Sequence, residues 1–111
     1  MIMLTLKLNG RQNVQLKWTD LASTDLDIIE KYITEENSIR VAIDVVLHII
    51  ESVQVTLNQF PRAGRQGRVM DTRELVIKGL PYVVVYRENI NTSCIEILRV
   101  LHHAQQWPKN K

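Results

Sequence analysis

The stretch Ile39 to Leu57 constrains this chain more than any other: nineteen residues without glycine or proline, rich in β-branched Val41, Val45, Val46, Ile49, Ile50, Val53 and Val55. Such side chains favour strands, but a strand of that length is uncommon. The polar residues decide the matter. Arg40, Asp44, His48 and Glu51 are spaced four, four and three apart, which draws one polar stripe on an otherwise apolar helix. So wide an apolar surface implies contact on two sides, with burial inside the monomer the expected reason and a partner the alternative.

A shorter helix precedes it. From about residue 20 to 34, Ala22, Leu26, Ile29 and Ile33 line one face, while Asp20, Asp25 and Asp27 come early, where the helix dipole favours negative charge. Glu35-Glu36-Asn37 reads as a short turn, and Ser38 as the N-cap of the long helix. Upstream, the apolar run 1–8, then Asn9-Gly10, then the alternation of Val14, Leu16 and Trp18 have the form of a β-hairpin, because Asn-Gly readily takes a type I′ turn.

Downstream, residues 59–68 carry Pro61, Gly64 and Gly67 and read as a loop. Three strand-like runs follow, 72–78, 82–87 and 94–101, with Tyr82-Val83-Val84-Val85-Tyr86 as the natural central strand. Short connections make them an antiparallel meander. The fold expected is therefore α+β: an N-terminal strand, then a two-helix hairpin packed on one face of an antiparallel β-sheet, with the opposite face bare for another use.

A chain of 111 residues has room for one domain, 1–111, with a modest core. Cys94 is the only cysteine, which excludes an internal disulfide and fits a reducing cytoplasm. The apolar start gives way at once to Lys7, Asn9, Gly10 and Arg11, too soon for a membrane span or a persuasive signal peptide. Charge is unevenly spread. Residues 1–58 hold five Lys/Arg against eight Asp/Glu, and residues 59–111 nine against four. A basic C-terminal half attracts nucleic acid or an acidic protein segment without choosing between them.

Arg62, Arg65, Arg68 and Arg73 concentrate that charge in and beside one loop. Guanidinium forks are good anion receptors, which favours seating phosphates or an acidic protein segment over the alternative of solvation or pairing with the first helix. Arg73-Glu74 has the look of a structural pair, and Arg87 and Arg99 lie where cross-strand pairing with Glu96 or Glu88 is expected. His48, between Asp44 and Glu51, suits a surface hydrogen bond. His102 and His103 end the last strand, where alternation would put their rings on opposite faces. Trp107 could stack on a base, anchor a partner or fold back over the sheet. No metal or cofactor is expected.

Four pieces in order resemble the RelE/ParE toxin superfamily, and its ParE branch more than its RelE branch. They are Pro61 to Arg68; Thr72-Arg73-Glu74-Leu75; Leu80 to Arg87; and Ile97 to Pro108, which contains Leu101-His102-His103-Ala104-Gln105-Gln106-Trp107. They follow a helical hairpin that starts at Trp18-Thr19, so the resemblance runs from about Val14 to Pro108 and leaves residues 1–11 as an added edge strand or the result of an upstream start codon.

The resemblance implies the toxin of a type II toxin–antitoxin pair: a cytoplasmic agent of growth arrest and plasmid stabilisation, held in a heteromeric complex by a ParD-like antitoxin. That partner would fold onto it by helix-in-groove and strand-addition contacts. ParE-like toxins are believed to poison DNA gyrase, whereas RelE-like members are ribosome-dependent mRNA endonucleases with basic residues around the scissile phosphate. Aligned on Pro81-Tyr82 and Tyr86, those basic positions fall on Glu74, Val76 and Val83, none of them basic. Losing them removes the main electrostatic stabilisation of a cleavage transition state. A gyrase poison is therefore expected, with Arg62, Arg65, Arg68, Arg73, His102 and Trp107 as target- or antitoxin-binding residues. The alternatives are an mRNA interferase using Arg73, Arg87 and His103, and a non-toxic member that only binds its antitoxin.

Overall fold

The computed structural model describes residues 2–5, 14–105 and 107–108, and the Asn9-Gly10 turn expected of the first hairpin lies outside them. Strand β1 (Ile2–Thr5) pairs antiparallel with β2 (Gln15–Trp18), and α1 (Asp20–Glu36) and α2 (Ile39–Gln59) follow. The chain then forms β3 (Arg65–Gln66), β4 (Arg73–Val76), β5 (Tyr82–Asn89) and β6 (Cys94–His102). Among the described residues these make one six-stranded sheet in the order β1-β2-β6-β5-β4-β3.

Local chemistry starts both helices. The side chains of Thr19 and Ser38 accept hydrogen bonds from the N–H groups of Ala22 and Val41, which satisfies donors that a helix N-terminus otherwise leaves open. Thr19 also bridges to the sheet, donating its hydroxyl to the carbonyl of Ile97 at 2.9 Å. The first helix thus begins at a fixed place on β6.

The core lies between the helical hairpin and one face of the sheet. Leu26 and Ile29 of α1 and Ile49, Val53 and Leu57 of α2 meet Leu16, Trp18, Leu75, Tyr82, Val84, Tyr86, Ile95 and Ile97. The expected α+β architecture is present. One pairing departs from it: β2 lies parallel to β6, whereas every other neighbouring pair is antiparallel. The hairpin carries the chain over the sheet, and the meander then returns β6 beside β2, where Leu16 and Trp18 extend the apolar row of Ile95 and Ile97. Strand β5 therefore shares the centre of the sheet with β6.

Two further expectations change. The face turned away from the helices is not bare at its centre, since Glu74, Val83, Val85 and Leu101 are all buried. Nor is α2 wholly buried in the monomer: Ile39, Ile43, Leu47 and Val55 are exposed, as are Leu21, Ile28 and Tyr32 of α1. By length and mean hydropathy (1.4) α2 could cross a membrane, yet here it packs on α1 and buries Ala42, Ile49, Val53 and Leu57.

Candidate functional site

The loop after α2 is held in shape by buried polar groups. The Tyr86 hydroxyl on β5 donates to the carbonyl of Pro61 at 2.8 Å and accepts the N–H of Gly64 at 2.9 Å. Gly64 is required at that contact, because a Cβ there would lie 2.8 Å from the Tyr86 ring. Burial raises the pKa of Tyr86, which keeps its hydroxyl a donor.

Glu74 is the second strut. Its side chain is 1% exposed, and it receives the Arg68 backbone N–H at 2.9 Å, the Arg68 guanidinium at 3.0 Å and that of Arg65 at 3.2 Å. Burial alone would push this carboxyl up, but the bonds from Arg68 and Arg65 outweigh it and hold the group below the usual glutamate range. Arg73 is not the partner of Glu74, contrary to the sequence expectation. Neighbours along a strand point to opposite faces, and Arg73 instead donates to the carbonyls of Gly64 and Arg62, at 2.9 and 3.4 Å.

The loop arginines therefore divide. Arg65 and Arg68 are engaged by one buried carboxylate, whereas Arg62 bonds Glu88 at 3.2 Å while remaining largely exposed. Arg62, Arg73 and Arg87 line a cleft of about 840 Å³ between this loop and the β5–β6 turn. Arg87 pairs with Glu96 at 2.7 Å, as its cross-strand position implied. Arg99 departs from that expectation and binds Asp25 of α1, at 2.8 and 3.0 Å. The register is the reason: Glu88 lies opposite Ile95, whereas Arg99 lies opposite Val85, beyond a β-bulge at Leu98, and Asp25 also accepts the backbone N–H of Val100 next to it. Asp25 is thus a buried anchor, and of the three early aspartates Asp20 is the one in the first turn of α1.

The histidines lie elsewhere. His102 pairs with Tyr82, while Arg73 pairs with Tyr86 and Arg87 follows it, so four to five residues of β5 separate them, roughly 13 to 17 Å at about 3.3 Å per residue. Arg73, Arg87 and His103 are not brought together. The two histidine rings do not lie on opposite faces either: their centroids are 4.6 Å apart, because β6 ends at His102 and the chain turns, with the His103 N–H on the carbonyl of Pro81. His102 borders a second groove of about 820 Å³, with Ile28 and Tyr32 of α1, Tyr82 and Arg99. Trp107 is half-buried.

His48 makes its surface hydrogen bond, to the carbonyl of Lys78 at 3.1 Å. Cys94 is buried, with its sulfur 2.9 Å from the Thr92 hydroxyl. Among the described residues no cluster of His, Cys, Asp and Glu could hold a metal ion. Sequence reasoning missed both grooves and the roles of Tyr86 and Asp25.

Comparison with known proteins bears on this geometry. Residues 16–107 match the family described as the ParE toxin of the type II toxin–antitoxin system parDE. The Sinorhizobium fredii protein Y4kP, described provisionally as a toxin, is 40% identical over 95 residues, 86% of this chain and 94% of that protein. Among solved structures, a chain of the chromosomal ParDE system of P. aeruginosa is 31% identical with a TM-score of 0.72, over 78% of this chain and 92% of that one. A chain of the Mycobacterium tuberculosis RelBE2 toxin–antitoxin complex shares the fold at 22% identity and a TM-score of 0.58, over 81% of this chain and 91% of that one. With a family match that spans both helices and the whole meander, this chain belongs to the ParE toxin family of type II toxin–antitoxin systems.

Proposed function

We propose that the protein arrests growth by binding DNA gyrase, without cleaving RNA, and that a cognate antitoxin neutralises it in a heteromeric complex. One observation carries the first part. The three positions where a RelE-like toxin would present basic groups to a phosphate lie together on one face of β4 and β5, with Val76 paired to Val83 and Glu74 two residues along. Their only charge is a carboxylate already engaged by Arg65 and Arg68. None of the three positions itself offers a cation to a scissile phosphate, and positive charge preorganised there is what such chemistry needs. The distance from Arg73 and Arg87 to the paired histidines argues the same way.

The antitoxin reading rests on the groove between α1 and the β5–β6 end and on the exposed Leu21, Ile28 and Tyr32 beside it, which suit an amphipathic helix laid into an apolar trough. The deciding experiment pairs a gyrase supercoiling assay with a ribosome-dependent mRNA cleavage assay on the purified chain. Inhibited supercoiling with intact message is the expected result. Intact supercoiling with cut message would reverse the assignment, and normal growth on induction of the chain alone would leave only antitoxin binding.

A further inference from the structure

We infer that the cleft between the arginine loop and the β5–β6 turn is a recognition site for a protein segment carrying one carboxylate between two apolar side chains. The floor supplies the charge. Arg73 spends one guanidinium nitrogen on the carbonyls of Gly64 and Arg62, and among the described residues it has no carboxylate partner. The other arginines are differently placed: Arg65 and Arg68 are held by Glu74, Arg87 by Glu96 and Arg62 by Glu88. Of the cleft's guanidinium groups Arg73 is thus, among the described residues, the one without a carboxylate, held in orientation by the two carbonyls with Nε and the second terminal nitrogen left to donate, the arrangement that receives a carboxylate in a bidentate fork.

The rim supplies the rest. Met70 and Ile90 are 85% and 86% exposed and stand on the two loops that border the cleft. Large apolar side chains so open, on either side of a cation, suit a partner with apolar groups on both sides of its charge, and Met adapts its shape to what it meets. A nucleic-acid backbone fits less well. Asp71 and Glu88 also line the cleft, so three guanidinium groups face two carboxylates, and a run of phosphates would meet repulsion as well as attraction. A single carboxylate on Arg73 brings less charge to those two than a run of phosphates does.

The site is preorganised. Tyr86 and Gly64 fix the near side of the loop, and the Asp71–Thr72 turn is closed by the Thr72 hydroxyl on the Val69 carbonyl. A segment that docks there does not have to order the loop first.

The test uses the whole chain and three fluorescein-labelled dodecapeptides in a glycine–serine frame, with centres leucine–aspartate–leucine, leucine–asparagine–leucine and serine–aspartate–serine, beside a single-stranded dodecanucleotide. Fluorescence anisotropy is expected to show the first peptide binding at least tenfold more tightly than the other two and than the oligonucleotide. Arg73→Gln should abolish the preference for aspartate over asparagine while keeping that for leucine over serine. Met70→Ser with Ile90→Ser should do the reverse. Both rim residues are almost fully exposed, so the double variant should melt like the parent, and the crossed pattern separates recognition from a damaged fold. Equal binding of all three peptides, preferences unmoved by either variant, or tighter binding of the oligonucleotide would overturn the proposal. None of these outcomes depends on whether gyrase is the target.

Discussion

At the scale of single residues, buried polar groups bear on loop geometry more than on the bulk of the core. Glu74 has a folded pKa below its unfolded one, so its contribution is complete above the ordinary glutamate value of about 4.3 and is lost as pH falls through the lower folded value. Glu74→Gln should therefore destabilise the chain at neutral pH by about 1–3 kcal/mol, with the difference from the parent shrinking in urea melts carried out at progressively lower pH. A constant difference down to pH 2 would show that the carboxylate charge is not the source. Tyr86→Phe removes one acceptor and one donor from the loop, and a loss of about 1–3 kcal/mol is expected from the Gly64 N–H and Pro61 carbonyl left unsatisfied. Gly64→Ala drives a methyl into the same ring and should cost about as much by overpacking; calorimetric melting checks both.

At the scale of elements, the helical hairpin was largely legible because its signals are local. Ser38 caps α2 as its side-chain chemistry implied, and Ser38→Ala should cost about 1 kcal/mol in chemical denaturation. The polar stripe of α2 was equally plain, since 3.6-residue periodicity is a property of the backbone. Partners across the sheet were not legible. Asp25 and Arg99 lie 74 positions apart, and nothing in either neighbourhood announces that they meet. The alternation rule failed at His102-His103 for a similar reason: it holds only while the strand continues, and β6 stops at the first of them.

At the scale of the whole molecule, the functional question is how two grooves at different ends of the sheet share the work. If the groove at Ile28 and Tyr32 receives the antitoxin, Ile28→Asp with Tyr32→Asp should weaken the purified toxin–antitoxin complex by about 2 kcal/mol or more, the scale of an interface hot spot. Isothermal titration would register this, and both residues are 61% exposed, so the fold should survive. Complex formation at parental affinity would move the antitoxin to another surface.

Periodicity, caps and turn chemistry by themselves determined the two helices and the meander, because each depends on side chains a few positions apart. Only the tertiary structure decided that β2 lies parallel to β6, that α2 keeps an apolar flank in the open, and that Arg65 and Arg68 are engaged by Glu74 while Arg73 has donors to spare. These depend on which distant groups share a face. Such contacts are set by how the layers stack, and one-dimensional order does not record it.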